Sequence, residues 1–113
     1  MRSGNWLDEF PGAVTAAEAD GRIVYLNKKA AEVFEKEGGT TLVGKNLFDC
    51  HNPNSGEKIK KILASGRPNV YTIEKAGVKK LIYQAPWIEN NQLRGVVELS
   101  LEIPFNLPHF VRD

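Results

Sequence analysis

Residues 93–103, LRGVVELSLEI, constrain the fold more than any other stretch of the chain. Leu93, Gly95, Val97, Leu99, Leu101 and Ile103 fall on one side of an extended backbone. Arg94, Glu98, Ser100 and Glu102 fall on the other, broken only by Val96. Successive side chains of a strand point to opposite faces. This alternation therefore predicts a strand with one covered and one wetter face, the pattern of an antiparallel sheet. Such a strand needs partners, and residues 70–75 and 78–88 supply two, joined by tight turns at Ala76-Gly77 and at residues 89–91. Pro86 has no backbone N–H, so the middle strand must bulge there or face away from a hydrogen-bonded neighbour.

The N-terminal half carries two more strands. Residues 6–10 predict one amphipathic turn, stopped by Pro11 and Gly12. Residues 13–17 read as a short strand, Asp20-Gly21 as a hairpin turn, and residues 22–26 as the returning strand. Ile23, Val24, Tyr25 and Leu26 are apolar in succession, which predicts cover on both faces. Asn27 suits a helix N-cap, because its side chain can accept an orphan backbone N–H. The helix is expected to run to about Lys36, burying Ala30, Ala31, Val33 and Phe34, and to end at Gly38-Gly39. Residues 40–51 are irregular, with room for one or two helical turns, and Leu42, Val43, Leu47 and Phe48 should pin them to the core. A second helix begins near Asn54, where Asn54 and Glu57 have capping-box spacing. Its stripe is Ile59, Ile62 and Leu63, and Gly66 stops it.

Two strands thus precede the helices and three follow. The layer rule is satisfied by one five-stranded antiparallel sheet with helices packed on one face, an α+β domain. A length of 113 residues fits one domain, and 42% apolar and 26% charged residues are ordinary for a globular one. A net charge of +1, with lysines in scattered pairs, argues against nucleic acid and anionic membrane as partners. The single cysteine, Cys50, excludes an internal disulfide and fits a reducing compartment. No apolar run approaches the ~20 residues of a membrane span, and residues 1–10 lack a signal-peptide core, so a cytoplasmic location is expected.

Three segments carry a family resemblance. ADGRIVYLNKKAAEVF, residues 19–34, has an Asp-Gly turn, an apolar strand ending in Asn, and an Ala-rich helix. LVGKNLFD, residues 42–49, has a glycine-lysine pair leading to a short helix, and APWIENNQLRGVVELSLEI, residues 85–103, is a hairpin with a proline before the turn and a glycine opening the last strand. In this order they resemble the PAS domain family. The resemblance covers residues 7–103, with residues 104–113 as a tail. It implies a five-stranded sheet cupped around short helices, and a sensory or interaction module in signal transduction that binds a small ligand or mediates dimerisation. The sequence departs from the family where many members end the last strand in Asp-Ile-Thr, since here Glu102-Ile103-Pro104 follows. The tail, with Pro104 and Pro108 among Phe105, Leu107, Phe110 and Val111, is neither a regular helix nor a central strand.

Catalysis is not expected. His51 and His109 lie far apart in sequence, Cys50 and His51 are adjacent and so point in different directions, and no carboxylate pair stands out. GTTLVGKN, residues 39–46, falls short of a phosphate-binding loop, because a helix precedes it and Asn46 stands where a Ser or Thr would hold the metal. The candidate ligand-binding residues are Phe34, Phe48, Cys50, His51, Ile62, Tyr83 and Leu99, apolar walls with a few polar groups. Cys50 and His51 otherwise read as a semi-buried thiol and a surface or capping histidine. In the PAS reading they lie near the pocket mouth, which opens an alternative: a haem-binding gas or redox sensor with His51 on the iron. No cofactor is required. The position of the reactive cysteine in the family's flavin-binding light sensors is Leu47 here, so a flavin adduct is disfavoured. Trp6, Leu7 and Phe10 either cap the outer sheet face or help form the homodimer that is expected.

Overall fold

The computed structural model describes residues 5–46 and 53–113, apart from the side chains of residues 53–56 and 58. Five strands form one sheet: β1 (Ala13–Glu18), β2 (Ile23–Leu26), β3 (Asn69–Lys75), β4 (Val78–Glu89) and β5 (Gln92–Ile103). Their order is β2-β1-β5-β4-β3, and every neighbouring pair is antiparallel. The helical crossover delivers the last strand beside the first, so the two strand groups close into one layer. Among the described residues, two α-helices lie between them, α1 (Lys28–Val33) and α2 (Pro53–Ser65).

The turns follow the residues that make them. Ala76 (φ 53°) and Gly77 (φ 79°) join β3 to β4, and Asn90 (φ 54°) and Asn91 (φ 61°) join β4 to β5. Two positive φ values in succession mark the turn whose twist matches that of a hairpin. Pro86 lies beyond Gln84, the last residue of β4 that pairs with β3, so its missing N–H disturbs no β3–β4 pairing. A register shift follows at Trp87/Ile88, where Trp87 pairs with Gly95 but Ile88 pairs with Leu93. Arg94 is therefore the extra residue, and the alternation read from residue 93 breaks there. Its guanidinium lies 4.8 Å from the centre of the Trp87 ring and pairs with Glu89 at 2.7 Å and Glu18 at 3.2 Å. Gly95 must remain a glycine, since a Cβ there would run into the Ala17 carbonyl.

Two apolar clusters occupy opposite faces of the sheet. On the inner face Ile59 and Ile62 of α2 pack on Ala17, Ile23, Leu42 and Val96, with Leu26, Phe34 and Leu63 half-buried around them. On the outer face Val14, Ala16 and Tyr25 pack with Leu7, Phe10, Val24, Trp87, Val97 and Leu99. The apolar run of β2 serves both. Ala16 pairs with Tyr25 and Ala17 with Ile23, so Val24 is a bulge residue and the strand sends side chains to each cluster.

A 3₁₀ turn at Trp6–Glu9 lies against the outer face, and buried Asn27 holds it in place. The Asn27 Oδ1 accepts from Val14 N at 3.0 Å and Ala30 N at 2.9 Å. Its Nδ2 donates to Leu7 O and Gly12 O, both at 2.9 Å. The N-cap expected from sequence is thus also the knot that ties the N-terminal turn, β1 and α1 together. The Tyr25 hydroxyl donates to Asp8 Oδ1 at 2.8 Å and secures the same turn.

Several expectations need correction. The first α-helix stops at Val33, short of Lys36, because the chain tightens into a 3₁₀ turn at Glu35–Glu37 before Gly38 at φ 122°. Val33 and Val43 are exposed at 39% and 47% and do not belong to the core. Helix α2 begins at Pro53, so Asn54 lies inside its first turn and not ahead of it. Proline is well suited to that first position, where the N–H has no intrahelical partner. Of the one or two helical turns expected within residues 40–51, the described residues contain a 3₁₀ turn at Gly39–Leu42, and Leu42 is buried as expected. Leu47 lies outside the described residues.

Candidate functional site: a polar row beneath the second helix

The inner face is not the apolar face of β5. Val97 and Leu99 belong to the outer cluster, whereas Val96 faces α2. Strand parity therefore sets Glu98 and Ser100 on the inner face with Val96. The wetter side of the alternation is the side that the helices cover.

Register then builds a line of polar side chains across this face. Thr15 of β1 pairs with Glu98 of β5, Glu98 with Gln84 of β4, and Gln84 with Asn69 of β3. Directly opposed residues lie close enough to interact, and here they do. Asn69 Nδ2 donates to Gln84 Oε1 at 2.9 Å, and Gln84 Nε2 donates to Glu98 Oε1 at 2.7 Å. The chain of donors runs inward from the sheet edge and ends on a carboxylate.

A small space lies between this row and α2, lined by Thr15, Ala17, Ile59, Gln84, Val96 and Glu98. Its volume is about 20 Å³, room for about one water molecule. Ala17, Val96 and Ile59 form apolar walls, and Thr15, Gln84 and Glu98 the polar side. Tyr71 has its hydroxyl pKa raised, first by burial and then by the negative charge of Glu98. The negative charge of Glu98 is therefore felt at Tyr71, second to burial.

The residues singled out from sequence are divided by the structure. Ile62 is buried in the inner cluster, and Phe34 packs against that cluster, so these two stand together near the space. Tyr83 and Leu99 are paired across β4 and β5, and Leu99 belongs to the outer cluster, so neither shares a wall with Ile62. The physical reason is the period of two: both residues share parity with Val97, which faces away from α2. Phe48, Cys50 and His51, with the haem-iron role considered for His51, lie outside the described residues. Thr15, Asn69, Gln84 and Glu98 did not emerge from the sequence. The signal for Glu98 was its place opposite the apolar set, read as solvent.

Comparison with known proteins decides the family. The sequence profile described as the PAS fold matches residues 7–65, just over half the chain. The chain belongs to the PAS family. No curated protein matches it in sequence. Solved structures similar to this PAS domain include the Aer2 receptor of Vibrio cholerae, described as a dual PAS-heme oxygen sensor. The two are 18% identical, with a TM-score of 0.64, over 82% of this chain and 95% of that one. The PAS domain of the histidine kinase ThkA is 23% identical, with a TM-score of 0.63, over 80% of this chain and 97% of that one. A sensory box sensor histidine kinase of Vibrio cholerae is 17% identical, with a TM-score of 0.62, over 88% of this chain and 87% of that one. At these identities the likeness is one of fold. The PAS domain has the architecture of sensory domains in signalling proteins, and none of its helices, among the described residues, is long and apolar enough to cross a membrane.

Proposed function

We propose that this PAS domain is a ligand-sensing module whose site is the space between α2 and the inner face of the sheet. The observation that carries the reading is the polar row Thr15–Glu98–Gln84–Asn69 under an apolar helix. Polar groups on a helix-covered face add little to packing, and a few converging polar groups among apolar walls are what a small-molecule site requires. A volume of about 20 Å³ is well below the roughly 300–1,000 Å³ of drug-sized ligand pockets. Binding anything larger than water therefore displaces α2 from the sheet, and that displacement is the signal. The ligand selects the displaced state by binding it better. Native mass spectrometry of the protein purified from its own host tests this. A bound small molecule lost on replacing Val96 by Trp, which fills the space, is the expected result. A host-purified protein of bare mass that also binds no metabolite-sized compound would sink the reading.

A second reading accompanies the first, because a specific surface favours it. The turn at Trp6–Glu9 covers only part of the outer face. Tyr83 and Val70 remain 39% and 48% exposed, and Leu81, Leu101 and Ile103 are half-buried beside them. A continuous apolar strip of this kind is an association surface, and a second copy placed face to face covers both strips at once. Sedimentation equilibrium should give twice the chain mass, and Leu101→Lys should return it to the monomer. A wild-type monomer at high micromolar concentration contradicts it.

A further inference from the structure

We infer that the ligand of the inner site is a small organic cation, an ammonium-type headgroup, with Glu98 as its counter-charge. This rests on the ligand-sensing reading above and adds the chemical class. The direction of the hydrogen bonds carries the inference. Asn69 donates to Gln84 and Gln84 donates to Glu98, so each amide commits one of its two N–H donors to the row, and the row is directed at the carboxylate. Glu98 accepts one of them on Oε1 and is half-buried under Ile59. Among the described residues it has no ion-pair partner, although Arg94, Glu89, Glu18, Arg22, Glu57 and Lys60 all form pairs elsewhere. Taking a carboxylate out of water is costly unless it is paired. A site with a half-buried carboxylate and a threonine hydroxyl presents acceptors and negative charge. It favours a donor-rich cation and repels a carboxylate ligand of equal size. A space of about 20 Å³ holds about one water, so an ammonium headgroup enters only as α2 moves off the sheet, and its carbon chain then lies against Ile59 and Val96.

Three probes with one carbon skeleton test the charge: n-propylammonium, n-propanol and propionate, each titrated at constant ionic strength into the intact protein. Amide chemical shifts of Thr15, Ala17, Val96 and Glu98 report on the site. Saturable shifts are expected with propylammonium alone, with an affinity at least about tenfold weaker in Glu98→Gln, the size of one charge-assisted hydrogen bond. Glu98→Asp keeps the charge, retains binding, and serves as the second variant if Glu98→Gln does not fold. Shifts at these residues with propanol or propionate equal to those with propylammonium overturn the cation while leaving the pocket as a ligand site. Undiminished propylammonium binding in Glu98→Gln likewise overturns the role of Glu98. No response to any probe removes both the cation and the pocket.

Discussion

Asn27 concentrates more structure in one side chain than any other residue described. Both of its amide atoms are spent inside the protein, on the backbone of the N-terminal turn, β1 and α1. Replacement by alanine removes the cap and leaves buried N–H and C=O groups without partners. We expect Asn27→Ala to cost about 3 kcal/mol in urea unfolding. Asn27→Asp should do no better, because a carboxylate oxygen would then face the Leu7 and Gly12 carbonyls. The sequence made the cap legible, since Asn followed a strand and preceded an alanine-rich helix. It could not make the other bonds legible, because they join residues 13 to 20 positions apart. Tyr25 is the second fastening of this turn. Burial, followed by its hydrogen bond to Asp8 and that group's charge, pushes its hydroxyl pKa up from 10.0 to about 12. The folded protein thus holds the proton more tightly than the unfolded chain does. The stabilisation is complete below pH 10 and declines as pH rises toward 12. Absorbance titration at 295 nm should show one tyrosine ionising near pH 12. In Tyr25→Phe that step should vanish, and the stability should fall less steeply over the same window.

At the scale of elements, the strands and their turns were legible because their chemistry is local. Asp20-Gly21, Ala76-Gly77 and residues 89–91 all turn the chain where composition placed turns. The turn at Ala76 is built at some expense, since an alanine at φ 53° brings its Cβ toward a carbonyl oxygen, a cost of roughly 1–2 kcal/mol. Asparagine tolerates that region, so Ala76→Asn should raise stability by about 0.5–1 kcal/mol in thermal or urea unfolding. The faces of the elements were less legible. Alternation divides a strand into two sides but does not say which one the helix covers. In β5 the more apolar side turned outward, which carried Tyr83 and Leu99 away from Ile62. The bulge at Arg94 was hidden for a related reason: it answers the Trp87 ring and two carboxylates on other strands, none of them a neighbour in sequence.

For the whole molecule, the order of strands, helices and strands, together with the segments at residues 19–34, 42–49 and 85–103, was sufficient for the family, while the site emerged only when register aligned Thr15, Glu98, Gln84 and Asn69. The two layers are held unequally. Strand β5 is hydrogen-bonded on both sides, by β1 and by β4. Helix α2 fully buries only Ile59 and Ile62 among its described side chains, worth about 1.5–3 kcal/mol each. Local opening should therefore begin at the helix. In hydrogen exchange followed by mass spectrometry, α2 amides should exchange at least about tenfold faster than those of residues 96–100. Equal protection in both would mean that the helix and sheet open only together, and the displacement proposed for signalling would lose its basis.

The two margins of the sheet are finished differently. Along β2, the loop that follows the Gly39–Leu42 turn closes the edge: Gly44 N donates to Ile23 O, Ile23 N donates to Lys45 O, and Arg22 bridges to Asn46. Among the described residues, strand β3 has a strand neighbour on one side only, and it carries Val70, Tyr71 and Ile73 at 36–48% exposure. An unfinished rim rich in β-formers is a template for further backbone pairing. Growth of this sheet, whether by docking an extended peptide or by stacking into fibres after damage, is therefore favoured at the β3 rim.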